Sequence, residues 1–168
     1  MKRVLLLLFI SFSLKASAQL GVNSLSTAFS AAFELGIPQN SIYTIGVGVS
    51  GKGEFPVSNK VCITATAGYD AFFYKGNLYS SSRTPGAADF IPLKAGAKYY
   101  FNQGVYAEGE LGTVIETNYL KQDLFAFSIG PGFIIPIDGK NNFDLGFRYE
   151  NWSNHQLRQT AIRFAYRW

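Results

Sequence analysis

The residues best suited to chemistry lie near the end of the chain, in the stretch Arg148–His155. Ser153 carries a hydroxyl nucleophile, His155 follows two residues later as the only histidine, and the Glu150 carboxylate precedes both. A serine hydroxyl needs an adjacent base to become a nucleophile, and histidine is the usual base. These residues are the candidates for a hydrolase site. A single histidine in a polar loop is more often only solvated, so we assign no catalytic residue.

Glu108 and Glu110 are a second candidate, because a pair of carboxylates can act as general acid and base. They are two residues apart and share one face of an extended strand. Lys94 and Lys98 have the same spacing on the preceding strand. Structural ion pairs are therefore the preferred interpretation of these four residues.

No cofactor or metal site is predicted. Gly46-Val-Gly48-Val-Ser-Gly51 matches a dinucleotide-binding string, but that string has meaning only between a strand and a helix, and more strand follows it here. Cys62 is the only cysteine, so the chain has no internal disulfide, and Cys62 with His155 is too few residues for a Cys/His metal site.

The amino terminus predicts export. Lys2 and Arg3 precede the apolar run Val4–Ile10, and Ala16-Ser-Ala18 supplies a small-residue cleavage site, so residues 1–18 read as a signal peptide. The run is shorter than the roughly 20 residues of a spanning helix. Removing Lys2, Arg3 and Lys15 leaves 12 basic against 11 acidic residues, so the precursor charge of +4 is no argument for nucleic-acid binding.

The rest of the chain, residues 19–168, reads as one domain of strands with period-two alternation, each bounded by Gly, Asn, Asp, Pro or Ser. Eight strands are predicted, at Thr27–Ile37, Ile42–Phe55, Lys60–Tyr74, Phe90–Phe101, Val105–Glu116, Leu124–Ile137, Phe143–Trp152 and Thr160–Trp168. Short turns alternate with longer connections, as in outer-membrane barrels. The predicted fold is all-β, an eight-stranded antiparallel up-and-down transmembrane β-barrel.

One face of every predicted strand is free of charge, as expected of a face toward lipid, where a charge costs about 2–4 kcal/mol at the bilayer midplane. Aromatic residues lie toward both ends of this face and predict two girdles. One girdle contains Phe55, Phe101, Phe143 and Trp168, and the other contains Phe33, Tyr43, Phe125 and Tyr149.

The opposite face mixes charged residues of both signs with glycine. Since eight strands enclose a space that side chains can fill, we predict a plugged lumen with internal ion pairs. Its predicted members are Lys94, Lys98, Glu108, Glu110, Asp144, Arg148 and Arg163. If Asn102-Gln103-Gly104 is a three-residue hairpin loop, Lys98 lies opposite Glu108, and we predict that these two pair. Pro92 and Pro131 predict local bulges.

The closing strand resembles that of bacterial outer-membrane barrels. Phe164, Tyr166 and Trp168 share its apolar face, and the strand ends in an aromatic residue. The resemblance implies insertion by the barrel-assembly machinery, which reads such a strand as an assembly signal. Trp168 departs modestly from the phenylalanine that is most common there.

Two resemblances follow from longer stretches. The whole mature chain is similar to the small outer-membrane β-barrel domain proteins of Bacteroidetes-type bacteria, most clearly in Ala67–Phe73, Ile91–Phe101, Val105–Gly112, Phe143–Ser153 and Arg163–Trp168. Arg148–His155 also resembles the Arg-Tyr-x-His-x-Ser-Asn stretch of outer-membrane lipid A deacylases. Asn151 occupies the position of their catalytic histidine and cannot act as a base.

The leading hypothesis is a cell-envelope protein of the Gram-negative outer membrane that is not an enzyme and has a structural or surface-interaction role through its outer loops. Its expected partners are outer-membrane lipids and the assembly machinery, with no nucleic acid, and we expect a monomer. The alternatives are a lipid-modifying enzyme of the lipid A deacylase kind, a secreted soluble ligand-binding barrel, and, least favoured, a pore.

Overall fold

The computed structural model describes residues 25–39, 41–76, 86–101, 104–118, 122–138, 141–153 and 157–168. They form one antiparallel sheet closed into a barrel, in which each strand pairs with its sequence neighbours and the first pairs with the last. The strands are β1 (Ala28–Gln39), β2 (Tyr43–Pro56), β3 (Val61–Tyr74), β4 (Ala88–Tyr100), β5 (Val105–Glu116), β6 (Asp123–Asp138), β7 (Asn141–Trp152) and β8 (Leu157–Arg167). The predicted eight-stranded barrel is confirmed. The signal peptide and His155 lie outside the described residues.

Strand bounds differ from the prediction mainly at β8. The polar stretch before Thr160 reads as a loop, yet β8 begins three residues earlier, at Leu157. Leu157 points inward and packs in an apolar cluster, so burial extends the strand. At the other end, the backbones of Phe29 and Trp168 exchange N–H···O bonds of 3.0 and 2.9 Å, which continue the β1–β8 closure.

The alternation of faces along the strands follows the predicted pattern. Large apolar residues point outward, among them Val49, Ile63, Leu111, Ile129 and Phe164. Charged residues between the two rims point inward. This arrangement is the reverse of that in a soluble ligand-binding barrel, where the apolar face is inside.

Tyr43 is an exception, and its predicted place in a girdle is wrong. The register of β2 against β3 shifts between Tyr43 and Ile45, because an irregularity there changes which face the side chain takes. Tyr43 is buried inside the barrel, with its ring centroid 5.5 Å from that of Phe72.

Pro92 and Pro131 interrupt pairing without producing the predicted bulges. Between β3 and β4 the pairs on either side of Pro92, Ala67 with Leu93 and Asp70 with Phe90, keep one register. The same holds beside Pro131, where β6–β7 pairing stops after Ile129 and resumes at Gly132. Proline has no N–H to donate, so hydrogen bonds are lost while the register is kept.

The interior has three layers. A cluster of Cys62, Tyr100, Tyr106 and Ile134, with Leu25 against it, lies at the end that carries the chain termini. Charged residues fill the middle. At the opposite end an apolar cluster, which we call the aromatic cap, closes the interior with Tyr43, Phe72, Ala88, Phe90, Val114, Leu124, Ala126, Trp152 and Leu157. Within the described ranges no helix is long and apolar enough to cross a membrane.

Candidate functional site: the charged interior and the aromatic cap

Glu150 and Ser153, the described candidates for hydrolase chemistry, are engaged separately. The Glu150 carboxylate is buried inside the barrel and accepts hydrogen bonds from Lys94 Nζ, Arg148 Nε and Trp152 Nε1, each at 3.0 Å. Ser153 follows the end of β7, where its Oγ accepts a bond of 3.1 Å from the backbone N–H of Phe125. No hydrogen bond joins the two residues in the described part of the chain. Both side chains therefore have hydrogen bonds that belong to the structure of the barrel.

Arg148 organises the part of the network nearest the aromatic cap. Its guanidinium forms ion pairs with Glu34 and with Glu150, and Ser50 Oγ donates a further hydrogen bond to Glu34. These groups come from β1, β2 and β7. The network therefore joins strands that are not all neighbours in the sheet.

Two lysines and two glutamates form the middle of the network. Lys52 Nζ lies 2.7 Å from Glu108 Oε2 and 3.2 Å from Glu110 Oε1. Lys94 Nζ lies 3.0 Å from Glu150 and 3.9 Å from Glu110. Thr66 Oγ1 donates a 2.6 Å bond to Glu110, so this buried carboxylate is well supplied with donors.

Lys98 is the centre of the network at the end that carries the termini. Its Nζ lies 2.5 Å from Glu54 and 3.1 Å from Asp144, and 4.0 Å from the centroid of the Tyr106 ring. Tyr106 in turn donates its hydroxyl to Asp144. A fully buried ammonium thus has two carboxylates and an aromatic face around it.

The predicted pairing of Lys98 with Glu108 is wrong, although the register behind it is right. The two residues are directly opposite on β4 and β5, but Lys98 contacts β2 and β7, while Glu108 contacts Lys52 on β2. Inward side chains of a small barrel converge on its axis. A long lysine chain therefore reaches across the interior as readily as it reaches the adjacent strand.

The inward charges nearly balance. Eight carboxylates belong to Glu34, Glu54, Asp70, Glu108, Glu110, Glu116, Asp144 and Glu150, and six cations belong to Lys52, Lys94, Lys98, Arg148, Arg163 and Arg167. Asp70 and Glu116 form no ion pair with another described residue. Glu34 and Glu150 repel the Asp70 carboxylate, and this repulsion opposes the attraction that Arg148 and Lys94 exert on it. Among the described residues no His, Cys, Asp and Glu group could hold a metal ion.

The aromatic cap was not predicted from the sequence. Phe90 and Trp152 lie 4.9 Å apart between ring centroids, and Phe72 contacts both at 5.6 and 5.5 Å in edge-on geometry. Each of these three residues shares the inward parity of a charged residue on its own strand, as Phe72 does with Asp70 and Trp152 with Glu150. Following the inward face to the end of each strand would have revealed the cap.

The three residues of the predicted assembly signal point outward on β8 and at the residue that follows it. Phe164, Tyr166 and Trp168 are all exposed, and the rings of Tyr166 and Trp168 lie 6.1 Å apart. The backbone of Trp168 is hydrogen-bonded to that of Phe29, where the barrel closes. The terminal aromatic residue therefore lies on the outer wall, at the seam between the first and last strands.

No protein-family model matches this chain, and no curated protein matches it. Solved structures of small barrels do. Ail of Yersinia pestis is 14% identical, with 85% of this chain and 97% of that chain covered and a TM-score of 0.53. The outer membrane protein AlkL, solved in lipid bilayers, is 10% identical, with 90% and 93% covered and a TM-score of 0.60. Neisserial surface protein A is 12% identical, with 84% and 94% covered and a TM-score of 0.54. At these identities the likeness establishes the fold: an eight-stranded barrel of the kind found in small outer-membrane proteins.

Proposed function

We propose that this chain is an integral outer-membrane barrel with a plugged interior, exported with a cleavable signal peptide and acting at the cell surface through its outer loops. The observation that carries the proposal is the outer wall, whose surface between the two rims is apolar and uncharged in the described residues. Such a surface is unfavourable in water, and a closed barrel is one of the two backbone arrangements that can span lipid.

The aromatic residues on the outer wall support this environment. Phe29 and Phe55 form an edge-on pair with centroids 6.2 Å apart, and Tyr99 and Phe101 another at 5.2 Å, both at the end that carries the termini. Phe125 and Tyr149 are exposed at the opposite end. Two aromatic bands of this kind flank the apolar belt of membrane barrels. Outer-membrane lipids are thus the first expected partners.

The filled interior supports a role other than transport through the barrel. The ion-pair network occupies the middle, and the aromatic cap closes the end away from the termini. An eight-stranded barrel leaves little more space than its own side chains need. We infer that the interior is structural and that contacts with surface partners are made by the outer connections.

Assembly and origin complete the proposal. The outward aromatic residues of β8 support recognition by the barrel-assembly machinery, and the sequence resemblance supports a source among Bacteroidetes-type bacteria. We expect the folded protein to be a monomer, because the barrel closes on itself and leaves no sheet edge for pairing.

Two measurements test the proposal. After expression with its own leader, the protein should fractionate with outer membranes and resist extraction by alkaline carbonate, while detergent releases it. Purified protein added to planar bilayers should show no sizeable stable conductance. Recovery as a soluble protein without detergent would contradict the membrane assignment, and a large stable conductance would contradict the plugged interior.

A further inference from the structure

A small cavity lies inside the barrel beside Gly146 on β7. Its volume is about 20 Å³, and its lining includes Tyr106, Glu108, Arg148 and Arg163. A methyl group added at Gly146 would lie 3.2 Å from the Tyr106 hydroxyl oxygen and 3.6 Å from Arg163 Cβ. The absence of a side chain at Gly146 therefore helps to keep this space open.

Two charged residues of the cavity wall carry polar atoms without a hydrogen-bond partner in the described structure. Glu108 Oε1 is one such acceptor, and Nε and Nη1 of Arg163 are two such donors, all of them buried. Arg163 Nε lies 3.6 Å from Glu34, and its Nη1 lies 3.7 Å from Asp144. Both distances are too long for a direct hydrogen bond, so neither carboxylate satisfies these two donors.

The backbone beside the cavity adds a further acceptor. Pro131 has no N–H, and the β6–β7 pairs that would join Gly130 to Arg148 and Pro131 to Phe147 are absent from the ladder. The Phe147 carbonyl therefore lacks the donor that another residue at position 131 would supply. Pro131 and Phe147 both line the cavity.

We propose that this cavity is a binding site for one water molecule, which bridges Arg163 and Glu108 inside the barrel wall. A bound molecule must accept from a guanidinium and donate to a carboxylate. A chloride ion cannot donate to Glu108, and a metal cation is repelled by Arg163 and Arg148. A cavity of about 20 Å³ exceeds the roughly 10–15 Å³ that one water requires.

The first test uses the unchanged protein. In water-edited solid-state NMR of the folded, lipid-reconstituted barrel, the Arg163 Nε–H signal should receive magnetisation from water as quickly as an exposed arginine does. Lys98 Nζ, which is fully buried with protein partners, is the internal control and should receive it slowly. Absence of transfer at Arg163 would overturn the proposal.

The second test fills the cavity. Gly146→Ala should displace the water and leave the Arg163 and Glu108 atoms unpaired, which raises the unfolding equilibrium constant about tenfold relative to Gly109→Ala. Gly109 is the control, because it lies on the outer face of β5, away from the cavity, and a methyl group there meets only the Ser128 carbonyl oxygen, at 3.9 Å. A Gly146→Ala protein as stable as the control, or more stable, would show a dry cavity and contradict the proposal. If Gly146→Ala fails to fold, the NMR measurement decides.

Discussion

Lys98→Met should produce one of the largest losses of stability available in this barrel. The substitution keeps an unbranched side chain, one atom shorter, and removes the ammonium that lies 2.5 Å from Glu54 and 3.1 Å from Asp144. Removing one partner of a buried ion pair costs about 3–5 kcal/mol, because the remaining charge stays buried. Arg167 lies 3.3 Å from Glu54, and Arg163 lies 3.7 Å from Asp144. These cations offset part of the loss, so we expect about 3 kcal/mol, or roughly 150-fold in the unfolding equilibrium.

Reversible urea unfolding in lipid vesicles, followed by fluorescence of the two tryptophans, measures this loss. Lys60→Met is the matched control, because Lys60 is exposed in a turn, and its substitution should change stability by less than about 0.5 kcal/mol. Adding Asp144→Asn to Lys98→Met should restore part of the stability, because the carboxylate that lost its closest cation is then neutral, while Glu54 still pairs with Arg167. A loss below about 1 kcal/mol for Lys98→Met would refute the energetic reasoning.

Double-mutant cycles separate the observed contacts of Lys98 from the one expected from strand register. The coupling energy between Lys98 and Asp144 should exceed about 1 kcal/mol, and that between Lys98 and Glu108 should be smaller, because Glu108 attracts the Lys98 ammonium without contacting it. Glu108 pairs with Lys52 at 2.7 Å, so its removal affects a different cation. A larger coupling to Glu108 than to Asp144 would contradict the network described above.

Three further substitutions test other parts of the barrel, each by the same unfolding measurement. Leu111→Arg places a charge midway along the outer face of β5 and should lower the free energy of unfolding by about 2–4 kcal/mol more than Leu111→Ala does. Equal losses for the two substitutions would contradict a lipid environment. Asp70→Asn should leave stability unchanged or increase it, because Asp70 has no described ion pair and feels the charges of Glu34 and Glu150; a loss above about 1 kcal/mol would reveal a missing partner. Phe90→Ala should cost about 3–5 kcal/mol by opening a hole in the aromatic cap, whereas a loss near zero would mean that the cap is not packed in solution.

Local alternation was enough to predict the eight strands and most of their faces. The hairpin between β4 and β5 shows why: once Phe101 is placed opposite Val105, every later pair on both strands follows. The backbone bond from Phe101 N–H to the Val105 carbonyl, at 3.0 Å, agrees with that placement. Register is a property of neighbouring strands, and it can be counted from the turn.

The interior could not be predicted in the same way. Ion pairs such as Lys52 with Glu108 join residues 56 positions apart, and their geometry depends on how side chains meet at the barrel axis. Counting residues from the turn gives the strand register but not the direction in which a long side chain crosses the interior. The predicted outward position of Tyr43 was wrong for a local reason. An irregularity in β2 reverses the alternation of faces that was assumed for the whole strand. Pro92 and Pro131, in contrast, removed hydrogen bonds without changing register, which alternation alone cannot distinguish from a bulge.

Migration on a cold denaturing gel tests the membrane-barrel proposal most directly. Protein taken from an outer-membrane fraction should run faster when unheated than when boiled, because a closed barrel stays compact in the detergent until heat separates β1 from β8. Lys98→Met should lower the temperature at which the slower band appears. Identical migration with and without heating, or recovery of the protein from a soluble fraction, would contradict the proposal.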